Sequence, residues 1–158
     1  MAKQRVAAYV SFPRGKEVPI EKLRRFFDLY LQDYLDVELT EIYADIAGKG
    51  YSNGDKTAFR QLLNDKADGK FDVVLVPSCS HLSRFYVDTY QYVKTLMAEP
   101  HPVAVHLMHE HIWINGEDGL LTLQFHLTVM EEVHHLSKTA SKLRKLHKAA
   151  NQAKEPIS

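Results

Sequence analysis

The chain has 158 residues, 45% of them hydrophobic and 25% charged, with a formal net charge of zero. That is enough for one domain with a real core, and its whole-molecule field does not point to nucleic acid. A single cysteine, Cys79, excludes an internal disulfide, no apolar run nears the ~18 residues that span a bilayer, and no secretory segment precedes the first apolar run, which together predict a cytoplasmic protein.

Residues 6–12 are a short run of strand formers bounded by Pro13 and Gly15, and predict a buried strand. Pro19 opens a helical pattern in which Ile20, Leu23, Phe26, Phe27, Tyr30, Leu31 and Tyr34 recur at three- and four-residue spacing, with the aromatic members expected in the core. Residues 37–43 alternate apolar and polar, as a half-exposed strand does. Gly48, Gly50, Asn53 and Gly54 make a loop, and Asp55 is placed to cap a helix that turns Phe59, Leu62 and Leu63 inward. Residues 71–76 are apolar on both faces, which predicts a central strand of a parallel sheet. A helix over residues 85–97 and a strand over 103–108 follow.

From about residue 117 to 150 there is no proline and no glycine beyond Gly119. Leu120, Leu123, Leu127, Met130, Val133, Leu136, Ala140 and Leu143 form a three-four repeat, which predicts one long helix with a narrow apolar stripe that needs a partner. Self-association through Leu123, Leu127, Met130, Val133, Leu136, Ala140 and Leu143 is the expected outcome. Lys138, Lys142, Arg144, Lys145, Lys148 and Lys154, with no acid among them, give the same segment a cationic arm suited to weak DNA contact or to plain solvation. The whole is α/β: a parallel-dominated sheet flanked by helices within residues 1–150, then a long terminal oligomerisation helix, with residues 151–158 expected to be a disordered tail.

Several clusters have the letters of chemistry without its spacing. His106, His109, Glu110 and His111 are ligand types, but the first two point to opposite faces of an extended segment and the spacing fits no zinc pattern, so no metal is expected. Cys79 and His81 lack the third orienting group of a nucleophile pair. His134 and His135 are expected on the helix surface, and Trp113 and Tyr9 in the core or an interface.

Residues 70–84, a strand running into Ser78-Cys79-Ser80-His81-Leu82-Ser83-Arg84, resemble the phosphate-binding loop of the serine recombinases, the resolvases and invertases. In that family the loop reads roughly Asp-Arg-Leu-Ser-Arg. Ala8-Tyr9-Val10 resembles its first strand, Tyr43-Ala44-Asp45 with Gly50 its Asp-x-Gly-x-Ser-Gly loop, Thr57 to Leu63 the next helix, and the terminal helix its dimerising element.

The resemblance implies a resolvase-like fold and a chemistry in which a serine attacks a DNA phosphodiester while arginines stabilise the phosphorane, with no metal or other cofactor. It also implies a site built from Arg84, Lys56, Ser83 and His81. Yet the nucleophile position is Pro13, Ser11 stands where an arginine would, Glu17 replaces a glutamine, Lys56 an arginine, Ser80 an aspartate and His81 an arginine; of the family's arginines Arg84 alone is unchanged. The expected function is therefore that of a pseudoenzyme tied to site-specific DNA recombination. It would act as an oligomerising partner or regulator, as a dimer, a tetramer or a hetero-oligomer with a related recombinase. Two alternatives stand beside it. Ser11 shares a strand face with residue 13, about 6.6 Å away, and could serve as the nucleophile of an active recombinase domain; or the chain is a protein-interaction module without DNA binding.

Overall fold

A computed structural model describes residues 3–47 and 56–153 of the chain. The elements run β1 (Gln4–Phe12), α1 (Ile20–Leu31), β2 (Val37–Ile46), α2 (Thr57–Ala67), β3 (Val73–Val76), α3 (Cys79–Leu82), α4 (Tyr86–Met97), β4 (Ala104–Leu107), β5 (Ile112–Ile114) and α5 (Glu117–Ala153). Five strands form one sheet in the order β2-β1-β3-β4-β5. The first four are parallel, and β5 returns antiparallel along β4.

β3 has the composition of a central strand, and all four of its residues are buried. Val6, Ala8, Val10, Val73 and Leu75 on one face pack with Leu23 and Phe27 of α1. On the other face Tyr9 meets Phe59 of α2 edge-on at 5.2 Å, and Phe59 meets Tyr92 of α4 at 5.1 Å. The period of two along β1 thus assigns alternate residues to helices on opposite sides.

Two expectations change and a third narrows. Phe26 and Tyr34 are 50% exposed and do not belong to the core. Phe26 sits on the flank of the stripe made by Leu23 and Phe27, and α1 ends at Leu31, before Tyr34 completes another turn. Trp113 is 47% exposed on the edge strand β5, which removes the core from the two places expected for it and leaves the interface. β5 itself and the one-turn α3 were not anticipated, because each is too short to show a period. Gly48, Gly50, Asn53, Gly54 and Asp55 lie outside the described residues.

Among the described residues, Asp45 serves the first turn of α2. The buried Asp45, at the end of β2, accepts hydrogen bonds from the Ala58 and Phe59 amides at 2.8 and 3.0 Å and from the Tyr9 hydroxyl at 2.8 Å. It answers two orphan donors of the first turn and ties that turn to both strands.

The chain divides into two compact units, 1–123 and 124–158. The first holds the sheet and the opening turns of α5. There Gly119 allows close approach: a Cβ at that position would come within 2.7 Å of the Ile114 Cα. The second is the remainder of α5. Along it Phe125, Met130, Val133, Leu136, Leu143 and Leu146 are all exposed. None of the described helices is long and apolar enough to cross a membrane.

Candidate functional site

In a parallel sheet, ligands gather beyond the carboxyl ends of the strands, where the chain turns to opposite sides. From β1 the chain goes outward to β2 on one side and inward to β3 on the other, so the switch point lies at Phe12 and Val76. A cavity of about 260 Å³ opens there. Its polar lining is Ser11, Lys56, Ser80, His81, Ser83 and Arg84, and its apolar lining is Phe12, Pro13, Ala47 and Leu82. The structure therefore brings Ser11, Pro13, Lys56, His81, Ser83 and Arg84 to one place.

Their roles differ. His81 Nδ1 accepts the Ser11 amide proton at 3.0 Å, and the ring stands edge-on to Phe12 with centroids 6.3 Å apart. Burial lowers the His81 pKa below the ordinary imidazole value. An Nδ1 that accepts must be unprotonated, so the ring is neutral with its proton on Nε2.

Lys56 precedes α2 in a left-handed backbone conformation, φ 51°. Its Nζ donates to the Leu82 carbonyl at 2.5 Å and lies 4.6 Å from the Tyr92 ring centroid, 5.4 Å from that of Phe59 and 5.6 Å from that of Tyr9. Burial lowers its pKa, against the pull of Asp45 and Asp88. The ammonium thus joins α2 to the loop after β3 while one side of it borders the cavity.

Ser83 is buried, and its Oγ accepts the Phe85 amide at 3.0 Å, which shapes the exit from α3. Arg84 is exposed at the cavity wall. Glu17 stays outside, its Oε1 accepting the Gly15 amide at 2.9 Å, which with the local backbone lowers its pKa.

Cys79 is not an activated thiol. Burial pushes its pKa up strongly, and the neighbouring Glu110 carboxylate adds to that. The same Glu110 accepts the Cys79 amide through Oε2 at 2.9 Å. His81, the partner Cys79 would need, gives its Nδ1 to Ser11 instead. His106 bonds the Tyr30 hydroxyl through Nε2, while His109 and His111 are exposed. His134 and His135 are exposed on α5.

The residues that sequence reasoning missed are those that hold the site rather than line it. Tyr9 supplies an aromatic wall and a hydroxyl to Asp45, and Glu110 reaches α3 from the turn between β4 and β5. Only Asp45 had a sequence signal, as the acid of a loop motif.

The profile of the family described as "Resolvase, N terminal domain" matches residues 16–154. Among solved structures, the N-terminal catalytic domain of TP901-1 integrase is similar over 84% of this chain and 97% of that one, at 24% identity and a TM-score of 0.63. A resolvase family site-specific recombinase from Streptococcus pneumoniae is similar over 97% of this chain and all of that one, at 17% identity and a TM-score of 0.56. The C-terminal catalytic domain of ISC1926 TnpA, an IS607-like serine recombinase, is similar over 88% and 85%, at 17% identity and a TM-score of 0.53. No curated protein matches the chain.

Proposed function

The chain belongs to the resolvase N-terminal domain family, and we propose that within it this protein is an oligomerising partner or regulator of DNA recombination that does not itself cut DNA. The observation that carries the reading is Pro13. It lines the cavity at the place that resembles the family's nucleophilic serine, and it offers no hydroxyl. A phosphoseryl link cannot form on a pyrrolidine ring.

The cavity's cations are also thinned. A planar arginine fork grips two phosphate oxygens at once, whereas a neutral imidazole at His81 and an ammonium at Lys56 already bonded to a carbonyl do not. What persists is a cavity with room for a phosphate group and Arg84 at its wall, enough to hold an anion and short of what strand cleavage requires.

The oligomerising part of the proposal rests on α5. Val133, Leu136 and Leu143 recur along one helix and are all more than half exposed, and burying such side chains is worth roughly 1.5–3 kcal/mol each. The exposed Lys138, Lys142, Arg144, Lys145 and Lys148 of that helix give it a weak, salt-sensitive hold on DNA.

The test is covalent trapping on nicked or suicide DNA duplexes bearing a recombination site. The expected result is no protein–DNA adduct with the natural chain. An adduct that disappears in Ser11→Ala would overturn the proposal and establish Ser11, which lines the same cavity, as the nucleophile of an active enzyme.

A further inference from the structure

We propose that His81 is a proton gate on this cavity: while neutral it is latched to the Ser11 amide, and once protonated it releases that amide and becomes a binding cation for a tetrahedral dianion or a phosphodiester. The inference rests on reading the cavity as a phosphate pocket and adds its regulation.

The geometry carries it. A neutral imidazole has one acceptor nitrogen, and here that nitrogen is Nδ1, 3.0 Å from the Ser11 nitrogen. An imidazolium has two donors and no acceptor, so protonation turns the Ser11 contact from a hydrogen bond into an opposition of two N–H groups. The ring must then leave the amide. The space at hand is the cavity that it already lines beside Lys56, Ser80 and Arg84.

The charged neighbours decide the balance. From the start of α2 comes the Lys56 ammonium, and from the segment after α3 the Arg84 guanidinium; both oppose a third positive charge while the cavity is empty of anion. From the turn after β4 the Glu110 carboxylate favours the imidazolium. Cys79, on the same short helix as His81, is a neutral thiol and contributes no charge. From β1 the facing groups are Ser11 and Phe12, which do not titrate. Burial keeps the ring neutral near pH 7. A dianion between Lys56 and Arg84 reverses the sign of that environment, so proton and anion bind with positive coupling, and by linkage each strengthens the other equally.

Sulfate is the suitable probe, because it stays dianionic from about pH 5 to pH 8, so that a change in its binding over that span reports the protein's protonation and not its own. Calorimetric titration of the full chain is expected to show sulfate bound at least about tenfold more tightly near pH 5.5 than near pH 8. The His81 ring signals, followed by NMR, should report a pKa about one unit higher in saturating sulfate than without it. His81→Asn keeps an acceptor for Ser11 and cannot titrate, so its sulfate binding should be weak and flat with pH. His81→Arg should bind sulfate well at both pH values. Equal affinity of the natural chain at the two pH values, or a His81 pKa indifferent to sulfate, overturns the gate even if His81→Arg binds. Absence of sulfate binding by both the natural chain and a folded His81→Arg variant overturns the phosphate-pocket reading beneath it.

Discussion

The Ser11 amide donates to Nδ1 of His81 across 3.0 Å, joining the end of β1 to the loop after β3 through a ring that must be neutral to accept. Burial holds the His81 pKa below its ordinary value, and burial followed by the nearby His111 does the same for His106. For such groups the unfolded chain binds the proton first. Stability is complete above the unfolded imidazole pKa of about 6.5 and declines as pH falls from there toward the lower folded value. In buffer free of sulfate and phosphate, the denaturant midpoint should therefore drop between about pH 7.5 and 5.5. Part of that drop should vanish in His81→Asn. A midpoint unchanged across the range would show that neither ring is held neutral by the fold.

Asp45 is a second junction, and its loss should be among the costlier single changes. Its carboxylate serves the Tyr9 hydroxyl and two α2 amides, all in buried or half-buried surroundings. Asp45→Ala removes a helix cap and strands a buried hydroxyl, together roughly 2–4 kcal/mol. Tyr9→Phe removes only one donor and leaves the cap, so about 1 kcal/mol is expected. Urea unfolding of the two variants checks the ratio; a Tyr9→Phe cost equal to that of Asp45→Ala would mean that the capping bonds contribute nothing.

The sheet was legible in the sequence because its strands carry their own signal. Residues 73–76 are apolar on both faces and turned out central, and the three-four repeat from Leu120 onward marked α5 correctly. What escaped notice depends on contacts between segments distant in sequence. Phe26 and Phe27 are equally hydrophobic, and only the position of α1 over β1 and β2 decides that Phe27 is buried and Phe26 half exposed. Likewise Lys66 is 4% exposed because the carbonyls of Ala98 and Pro100 receive its Nζ at 2.7 and 2.8 Å, which nothing near residue 66 announces. The candidate site was legible as a list of residues through its family resemblance, but the latch between Ser11 and His81 was not, since it joins residues 70 apart.

Arg84 separates the roles of cavity and helix. It is exposed at the cavity wall, far in sequence from the apolar stripe of α5. Arg84→Ala should leave the mass in solution unchanged and weaken sulfate binding at pH 5.5 by about tenfold, in keeping with the loss of one charge-assisted contact. A sulfate affinity unaltered by the substitution would place the anion elsewhere on the protein.

The oligomer is tested on α5 itself. Val133 and Leu136 are 51% and 62% exposed, in the part of α5 that forms a compact unit of its own. In an assembly they would lie in a dry seam, where an aspartate is strongly disfavoured unless it is paired. Val133→Asp with Leu136→Asp should convert the assembly to monomer in light scattering while the near-ultraviolet spectrum of the β-sheet unit is preserved. The basic side chains from Lys138 to Lys148 give a companion measurement, because each phosphate contact they make steepens the fall of DNA affinity with salt. If α5 presents those side chains from an assembly, the double variant should lose DNA binding together with mass, since two weak arms acting jointly gain far more than one. A double variant that keeps its oligomeric mass would remove α5 as the interface, and the partner role proposed for this protein would then need another surface.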